Sequence, residues 1–437
     1  MDRRTFVTTA AATLASPALA AVGKSSPQFP KGFLWGAATA GHQVEGNNVN
    51  SDVWVMEHVQ GSGYADKSGD AANSFVLWPR DLDLVRDMGL NAYRFSLEWS
   101  RIEPEPGEFS IAMLDHYKAM IAGCRARGLM PVVTFNHFTT PIWFAGRGGW
   151  ASNDAPSRFA HYCERAARHL GAEIGYATTL NEPNLSGLLS IVFPPGLGDR
   201  LLATDRANAD AAARAHGVGS FAAGNALWVA DPAKNQANLL AAHRAGRAAI
   251  KAVRPDLPVG VSLAIIDDQA VGANSLRDAM RAKLYAPWLQ AARGDDFVGV
   301  QNYERAVWDA TGKLPPPPGV QLSDAGAEVY PASLAGAARY AHAVSGVPVI
   351  VTEHGVNAAD DTIRQKLIPA ALAELKRAID DGVPVKGYIH WSLVDNFEWG
   401  FGYKPKFGLH TLDRTTFART PKPSAAVLGA IARRNAV

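Results

Sequence analysis

Cysteine is scarce, with Cys124 and Cys163 alone in 437 residues, so at most one disulfide could form and a disulfide framework is excluded. Both fall in segments with helical periodicity, where buried free thiols are the expectation. An excess of either charge is missing too. Lys and Arg total 43 against 41 Asp and Glu, for a formal net charge of +2, and no basic stripe interrupts the balance, which excludes a nucleic-acid partner recognised through phosphate. No run approaches the ~20 apolar residues that a membrane span requires, so stable membrane insertion is not expected. A Gly-x-Gly-x-x-Gly turn after the first apolar run is also missing, which argues against a doubly wound dinucleotide fold.

What remains is core material. Hydrophobic residues make up 47% and charged residues 19%, the composition of a soluble globular protein. The extreme N-terminus differs. Arg3-Arg4-Thr5-Phe6 precedes an apolar stretch from Val7 to Leu14 and small residues around Ala18-Leu19-Ala20. That order matches a bacterial twin-arginine export signal over residues 1–20, followed by a single domain over 21–437. The expectation is a periplasmic or secreted product.

Along that domain one phrase recurs: an amphipathic helix stops at Gly, Pro or Asp, and a short β-branched apolar run follows. Ser110 to Arg127 places Ile111, Leu114, Tyr117, Met120, Ile121 and Cys124 on one face and stops at Gly128. The strand from Met130 to Phe135 comes next. Apolar runs begin near Phe33, Ala92, Met130, Tyr176, Val259, Phe297, Val347 and Lys386. Eight near-continuous apolar strands separated by helices predict a parallel sheet closed into a (β/α)₈ TIM barrel. No second domain is indicated, and Pro315 to Pro318 is expected as a rigid surface loop.

Active sites of such barrels sit at the C-terminal ends of the strands. Here those ends carry Arg94, Asn136-His137, Asn181-Glu182, Asn302-Tyr303, Glu353-His354 and Trp391, a polar set that packing does not explain. Glu182 and Glu353 each follow a buried strand, where a carboxylate must be paired or employed. Two carboxyl groups flanking an acetal are what glycoside hydrolysis requires. Strand position alone leaves a structural ion pair, with Arg94 as partner, equally open.

The surrounding words resolve the choice. Phe33-Leu34-Trp35-Gly36-Ala37-Ala38-Thr39-Ala40 with His42-Gln43-Val44-Glu45-Gly46, then Tyr93-Arg94-Phe95-Ser96-Leu97-Glu98-Trp99, Thr179-Leu180-Asn181-Glu182-Pro183, Val351-Thr352-Glu353-His354-Gly355 and Trp391-Ser392-Leu393-Val394-Asp395-Asn396-Phe397-Glu398-Trp399 occur in this order. From about Phe29 to Ala425 the chain resembles glycoside hydrolase family 1. The resemblance implies a retaining exo-β-glycosidase acting on terminal β-linked sugars, β-glucosides foremost, through a covalent glycosyl-enzyme. It makes Glu182 the acid/base and Glu353 the nucleophile. It assigns Arg94, Asn181, Asn302 and Tyr303 to their support, and Gln43, His137, Trp391, Glu398, Trp399 and Phe407 to sugar binding. No metal and no organic cofactor are implied, and the partner is a small-molecule or oligosaccharide β-glycoside. A transglycosylase and a sugar-binding pseudoenzyme are the alternatives. Glu45 and Glu98 are expected as members of structural ion pairs.

Four features depart from the family's wording. His354 stands where Asn is usual, and a titratable neighbour there is expected to alter the pH profile. Phe138 replaces a Trp, and Lys406 an Arg. The segment from Asn184 to Ala230 is short and matches weakly. Glu398 would repel a 6-phosphate bearing about −1.5 to −2 of charge, which sets the chain apart from 6-phospho-β-glycosidases.

Overall fold

The computed structural model describes residues 27–193 and 196–437; the expected export signal and Pro194-Pro195 lie outside the described residues. Eight strands form a closed parallel barrel: β1 Leu34–Ala38, β2 Ala92–Ser96, β3 Met130–Asn136, β4 Tyr176–Asn181, β5 Val259–Ala264, β6 Phe297–Asn302, β7 Val349–His354 and β8 Val385–Trp391. Each pairs with its neighbour in sequence, and β1 closes the ring against β8. The fold is the (β/α)₈ barrel expected from the recurrence.

The strands are almost wholly buried because two cores use their two faces. Inside the ring, Leu34, Ala92, Val132, Phe297, Ile350 and Ile389 fill the floor. Outside it, the alternate residues, among them Val133, Ala177, Val261, Val298 and Val351, join the cluster formed with the covering helices. Burying each larger aliphatic side chain contributes about 1.5–3 kcal/mol, so the barrel is a rigid base for whatever its rim carries.

The helix expected after Ser110 runs Ile111–Ala126, with the Ser110 hydroxyl accepting the Met113 N–H at 3.3 Å as an N-cap. It buries Leu114, Tyr117, Met120, Ile121 and Cys124, while Ile111 at its start stays exposed. Cys124 and Cys163 are both buried free thiols; burial pushes Cys124 up to about 12 and Cys163 well above the usual thiol range. No helix among the described residues is long and apolar enough to cross a membrane.

Two short strand pairs were not legible in the sequence: parallel Asp267–Ala270 with Arg305–Trp308, and antiparallel His410–Leu412 with Arg419–Pro421. The first extends the chain beyond β5 and β6 above the mouth. Between β4 and β5, helices Leu185–Val192 and Leu197–His216 roof the same side.

Candidate active site

Two local slips in register aim the polar side chains at the mouth. On β7, Ile350 belongs to the interior core and Thr352 meets Gly299 inside the ring, so strict alternation would turn Glu353 outward. The pairing with β6 instead jumps from Val300–Val351 to Gln301–Glu353. One extra residue on β7 reverses the phase and brings Glu353 in. On β4, Thr178 faces inward to share a hydrogen bond of 2.8 Å with Thr134. A slip between Thr178 and Asn181 against β5 likewise turns Asn181 into the ring.

Glu353 is gripped from two sides. The buried Arg94 donates from Nη1 to Glu353 Oε1 at 2.5 Å, and from Nη2 to Asn181 Oδ1 at 2.5 Å. Tyr303 donates its hydroxyl to Glu353 Oε2 at 2.6 Å. Burial pushes the Glu353 carboxyl up from its usual range, while the Arg94 charge and the bonds from Tyr303 and Gln301 pull it back. Glu182 stands in the opposite situation. Burial, then the charge of Glu353, holds its carboxyl well above the usual range, and Arg94 alone opposes. No described side chain donates a hydrogen bond to it. Its backbone lies in the left-handed region at φ 42°, as do Phe138 at 69° and Trp399 at 54°. Three non-glycine residues in that region, all at one mouth, mark conformations held by their surroundings.

Opposite the two glutamates lies a wall of aromatic and amide groups. Glu398 accepts from Trp391 Nε1 at 3.3 Å and Gln43 Nε2 at 3.3 Å. Desolvation pushes it up to about 8, with the Trp391 and Gln43 bonds pulling down and the Glu353 charge adding to the rise. His137 is kept neutral, its pKa driven well below the usual value by burial and by Arg94. Asn181 donates from Nδ2 to His137 Nε2 at 3.3 Å, because Asn181 Oδ1 is already taken by Arg94 and by Gln301 Nε2 at 2.8 Å. The ring proton therefore sits on Nδ1, which has no partner among the described residues. The His137 ring lies nearly parallel to Trp391 and Trp399, at centroid distances of 5.7 and 6.2 Å. Phe138 meets Trp399 edge-on at 5.5 Å, and Phe407 meets Tyr303 at 5.7 Å. Gln43, His137, Glu182, Glu353, Trp391 and Glu398 all border one cavity of about 1380 Å³. Trp399 and Phe407 border it too.

Asn302 is placed differently from the other supports. Alternation from Phe297 through Gly299 turns Gln301 inward and Asn302 outward. Asn302 Nδ2 donates to the carbonyls of Ile265 and Glu304 at 2.9 and 3.0 Å, and its Oδ1 accepts from Ser333 at 2.8 Å. It braces the loops rather than touching either glutamate. Gln301 is the group that reaches Asn181 and Glu353. The period-two pattern of β6 carried that signal, and the polar pair Asn302-Tyr303 drew attention one residue too far.

The expectation for His354 is overturned. Burial drives its pKa down to about 3, and its Nδ1 lies 2.9 Å from the Tyr388 hydroxyl. A ring that is neutral throughout the working range cannot shape the pH profile. His354→Asn is expected to leave both limbs of the pH–rate curve between about pH 5 and 9 in place, as initial rates across that range would establish. The Gly355 that follows is required by close approach, since a Cβ there would stand 2.3 Å from the Trp391 carbonyl oxygen.

Glu45 is an ion-pair member, bound by Arg101 Nε at 2.9 Å and by the Tyr117 hydroxyl at 3.0 Å. Glu98 differs from the expectation. Its carboxylate accepts from the His42 backbone N–H, from Asn48 and from Thr139 at 2.7–2.9 Å, so hydrogen bonds and not a cation hold it.

Known proteins resemble this chain over nearly its whole length. The profile described as Glycosyl hydrolase family 1 matches residues 25–305 and 318–437. The chain belongs to that family. It is 30% identical to a β-glucosidase of Agrobacterium sp. over 93% of this chain and 95% of that protein. A β-galactosidase of Pyrococcus woesei is 28% identical over 94% of this chain and 98% of its own. Among solved structures, the β-glycosidase BGL167 superposes with a TM-score of 0.87 at 46% identity, covering 94% of this chain and 98% of that one. The protein is thus a family 1 O-glycoside hydrolase, and its substrates are β-glycosides.

Proposed function

We propose that the protein is a retaining exo-β-glycosidase that removes terminal non-reducing β-linked sugars, β-glucosides foremost, by double displacement. One observation carries this reading: two carboxyl groups in one cavity have different environments, Glu353 being clamped by Arg94 and Tyr303 and Glu182 being desolvated with no side-chain donor among the described residues. Such a separation of affinities for the proton supports Glu182 as the acid and Glu353 as the nucleophile. Glu182 protonates the glycosidic oxygen as Glu353 attacks the anomeric carbon. Once the ester forms, Glu353 is uncharged, the repulsion that raised Glu182 is gone, and Glu182 takes a proton from the incoming water. Asn181 faces the 2-hydroxyl. The far end of the ring meets Gln43, His137, Glu398 and Trp399, over Trp391. Glucose as the preferred sugar is supported by the name of the Agrobacterium relative.

Retention is tested by following anomeric proton signals during cleavage of an aryl β-glucoside. Retention requires the β-anomer first and the α-anomer only by later mutarotation; α-sugar as the initial product would refute it. Arg94 supplies a second check. Arg94→Met removes the cation that opposes the rise of Glu353, which must be ionised to attack, so the acid limb of kcat/KM is expected to move up by about 1–3 pH units. An unmoved limb would mean that Arg94 does not set that ionisation.

We further propose export through the Arg3-Arg4 segment, supported by its order of charge, apolar run and small residues. Replacing both arginines with lysine should retain the activity inside the cytoplasm; periplasmic activity undiminished by the change would contradict the proposal.

A further inference from the structure

The cavity that holds the two glutamates is far larger than one sugar. Its volume of about 1380 Å³ exceeds the roughly 300–1,000 Å³ that suffices for drug-sized ligands. Glu398, Gln43 and Trp391 close the inner end, so the surplus volume lies outward, past Glu182, where the leaving group must be.

One side of the wall there is apolar and uncovered. The helix Leu185–Val192 begins directly after the acid, and the Leu185 N–H bonds to the Glu182 carbonyl at 2.9 Å. It presents Leu185 and Leu189; the next helix presents Leu197 and Leu201, and Leu227 and Val307 complete the surface. All six are half-buried, with the remainder of each side chain facing the cavity. At the rim, the rings of Phe193 and Phe401 stand 6.5 Å apart, and Phe401 is 49% exposed. Several charged groups bordering this outer part are already engaged. Asp205 accepts the Leu227 N–H at 2.6 Å, Arg305 meets both carboxylate oxygens of Glu328 at 2.9 Å, and the Lys313 charge opposes the burial that raises Glu304.

From this we infer the leaving-group specificity of the enzyme: the outer chamber takes a bulky apolar alcohol, alicyclic, aryl or long-chain, in preference to a second sugar. A pyranose against this side would set several hydroxyls on leucine side chains, losing bonds to water that those side chains cannot replace. An apolar group there gains what its own surface and the six side chains lose to water. Apolar surface continuous with a catalytic pair is a binding surface for part of the substrate. The inference rests on the β-glucosidase reading above.

The test uses the full-length mature enzyme and β-glucosides whose leaving groups differ in apolar bulk and little in acidity: methyl, butyl, hexyl, octyl and cyclohexylmethyl, with cellobiose as the sugar-leaving substrate. We expect kcat/KM to rise about three- to fourfold per methylene while the chain is being buried, and octyl β-glucoside to exceed cellobiose by at least about tenfold. Leu189→Asn and Leu201→Asn, which lie outside the catalytic set, should flatten the series while leaving methyl β-glucoside turnover unchanged. A flat series in the wild-type enzyme, or cellobiose cleaved faster than octyl β-glucoside, would overturn the inference alone. Absence of turnover across the series and with a dinitrophenyl β-glucoside would overturn the β-glucosidase reading and this inference with it. The wild-type series decides the matter even where a variant fails to fold.

Discussion

Glu353→Gln is expected to lower kcat by roughly 10⁴-fold or more on every β-glycoside, with good and poor leaving groups alike, because the change removes the proposed nucleophile. Size and shape are conserved: Arg94 and Tyr303 bond to Oε1 and Oε2 at 2.5 and 2.6 Å, and in the variant the amide oxygen can still accept from Arg94 while the amide NH₂ meets the Tyr303 hydroxyl, which then turns to accept. The loss should therefore appear in turnover while thermal unfolding stays close to that of the parent. A residual rate that depended strongly on the leaving group would transfer the nucleophile's role elsewhere. Arg94 sharpens the expectation. It is fully buried and faces a neutral side chain in the variant, so any stability cost falls on the Arg94 contacts, well below the about 3–5 kcal/mol typical of a buried ion pair stripped of one partner.

Glu182→Gln should produce a different pattern. Without a proton to give, the enzyme is expected to lose about 10²–10⁴-fold on alkyl glucosides and cellobiose, the range that general acid catalysis supplies. A dinitrophenyl leaving group needs no proton, so its first step should survive and the glycosyl-enzyme should accumulate as a burst, since the base for the second step is gone as well. The pH profile provides an independent sign. Glu182 is raised well above the usual carboxylate range and, as the proposed acid, must be protonated to act, so wild-type activity is expected to fall as pH rises through its pKa. That alkaline limb should vanish in the variant when the activated substrate is used. Equal losses on all substrates, with the limb intact, would remove Glu182 from the acid's role.

The barrel was legible because its signal is long-range and repeated. The eight expected strand starts agree with the observed ones to within two residues, the largest offset being Val347 against Val349, since most starts follow a helix stop and open a short apolar run. The side-chain directions were less accessible. Glu353 and Asn181 reach the mouth through slips in register, and a slip depends on how two strands pair, not on the pattern within one. Gln301, not Asn302, is the residue that alternation from Phe297 turns inward to Asn181. His354 was expected to titrate because sequence gives residue type without burial. Its depressed pKa, about 3, comes entirely from where the fold puts it. The outer chamber was the least legible feature. Leu185, Leu189, Leu197 and Leu201 are ordinary helix residues in sequence, and only the packing of two helices over the mouth leaves their sides open to a ligand.

Trapping tests the central claim, a covalent intermediate on Glu353, most directly. A 2-deoxy-2-fluoro-β-glucoside with a dinitrophenyl leaving group slows both steps, because fluorine destabilises the oxocarbenium-like transition state, while the good leaving group keeps the first step faster than the second. Mass spectrometry of the intact enzyme should then show one added fluoroglucosyl group, and peptide mapping should place it on Glu353. An enzyme that turns the compound over or is inactivated without gaining that mass, or that carries it on Glu182 or Glu398, would contradict the account.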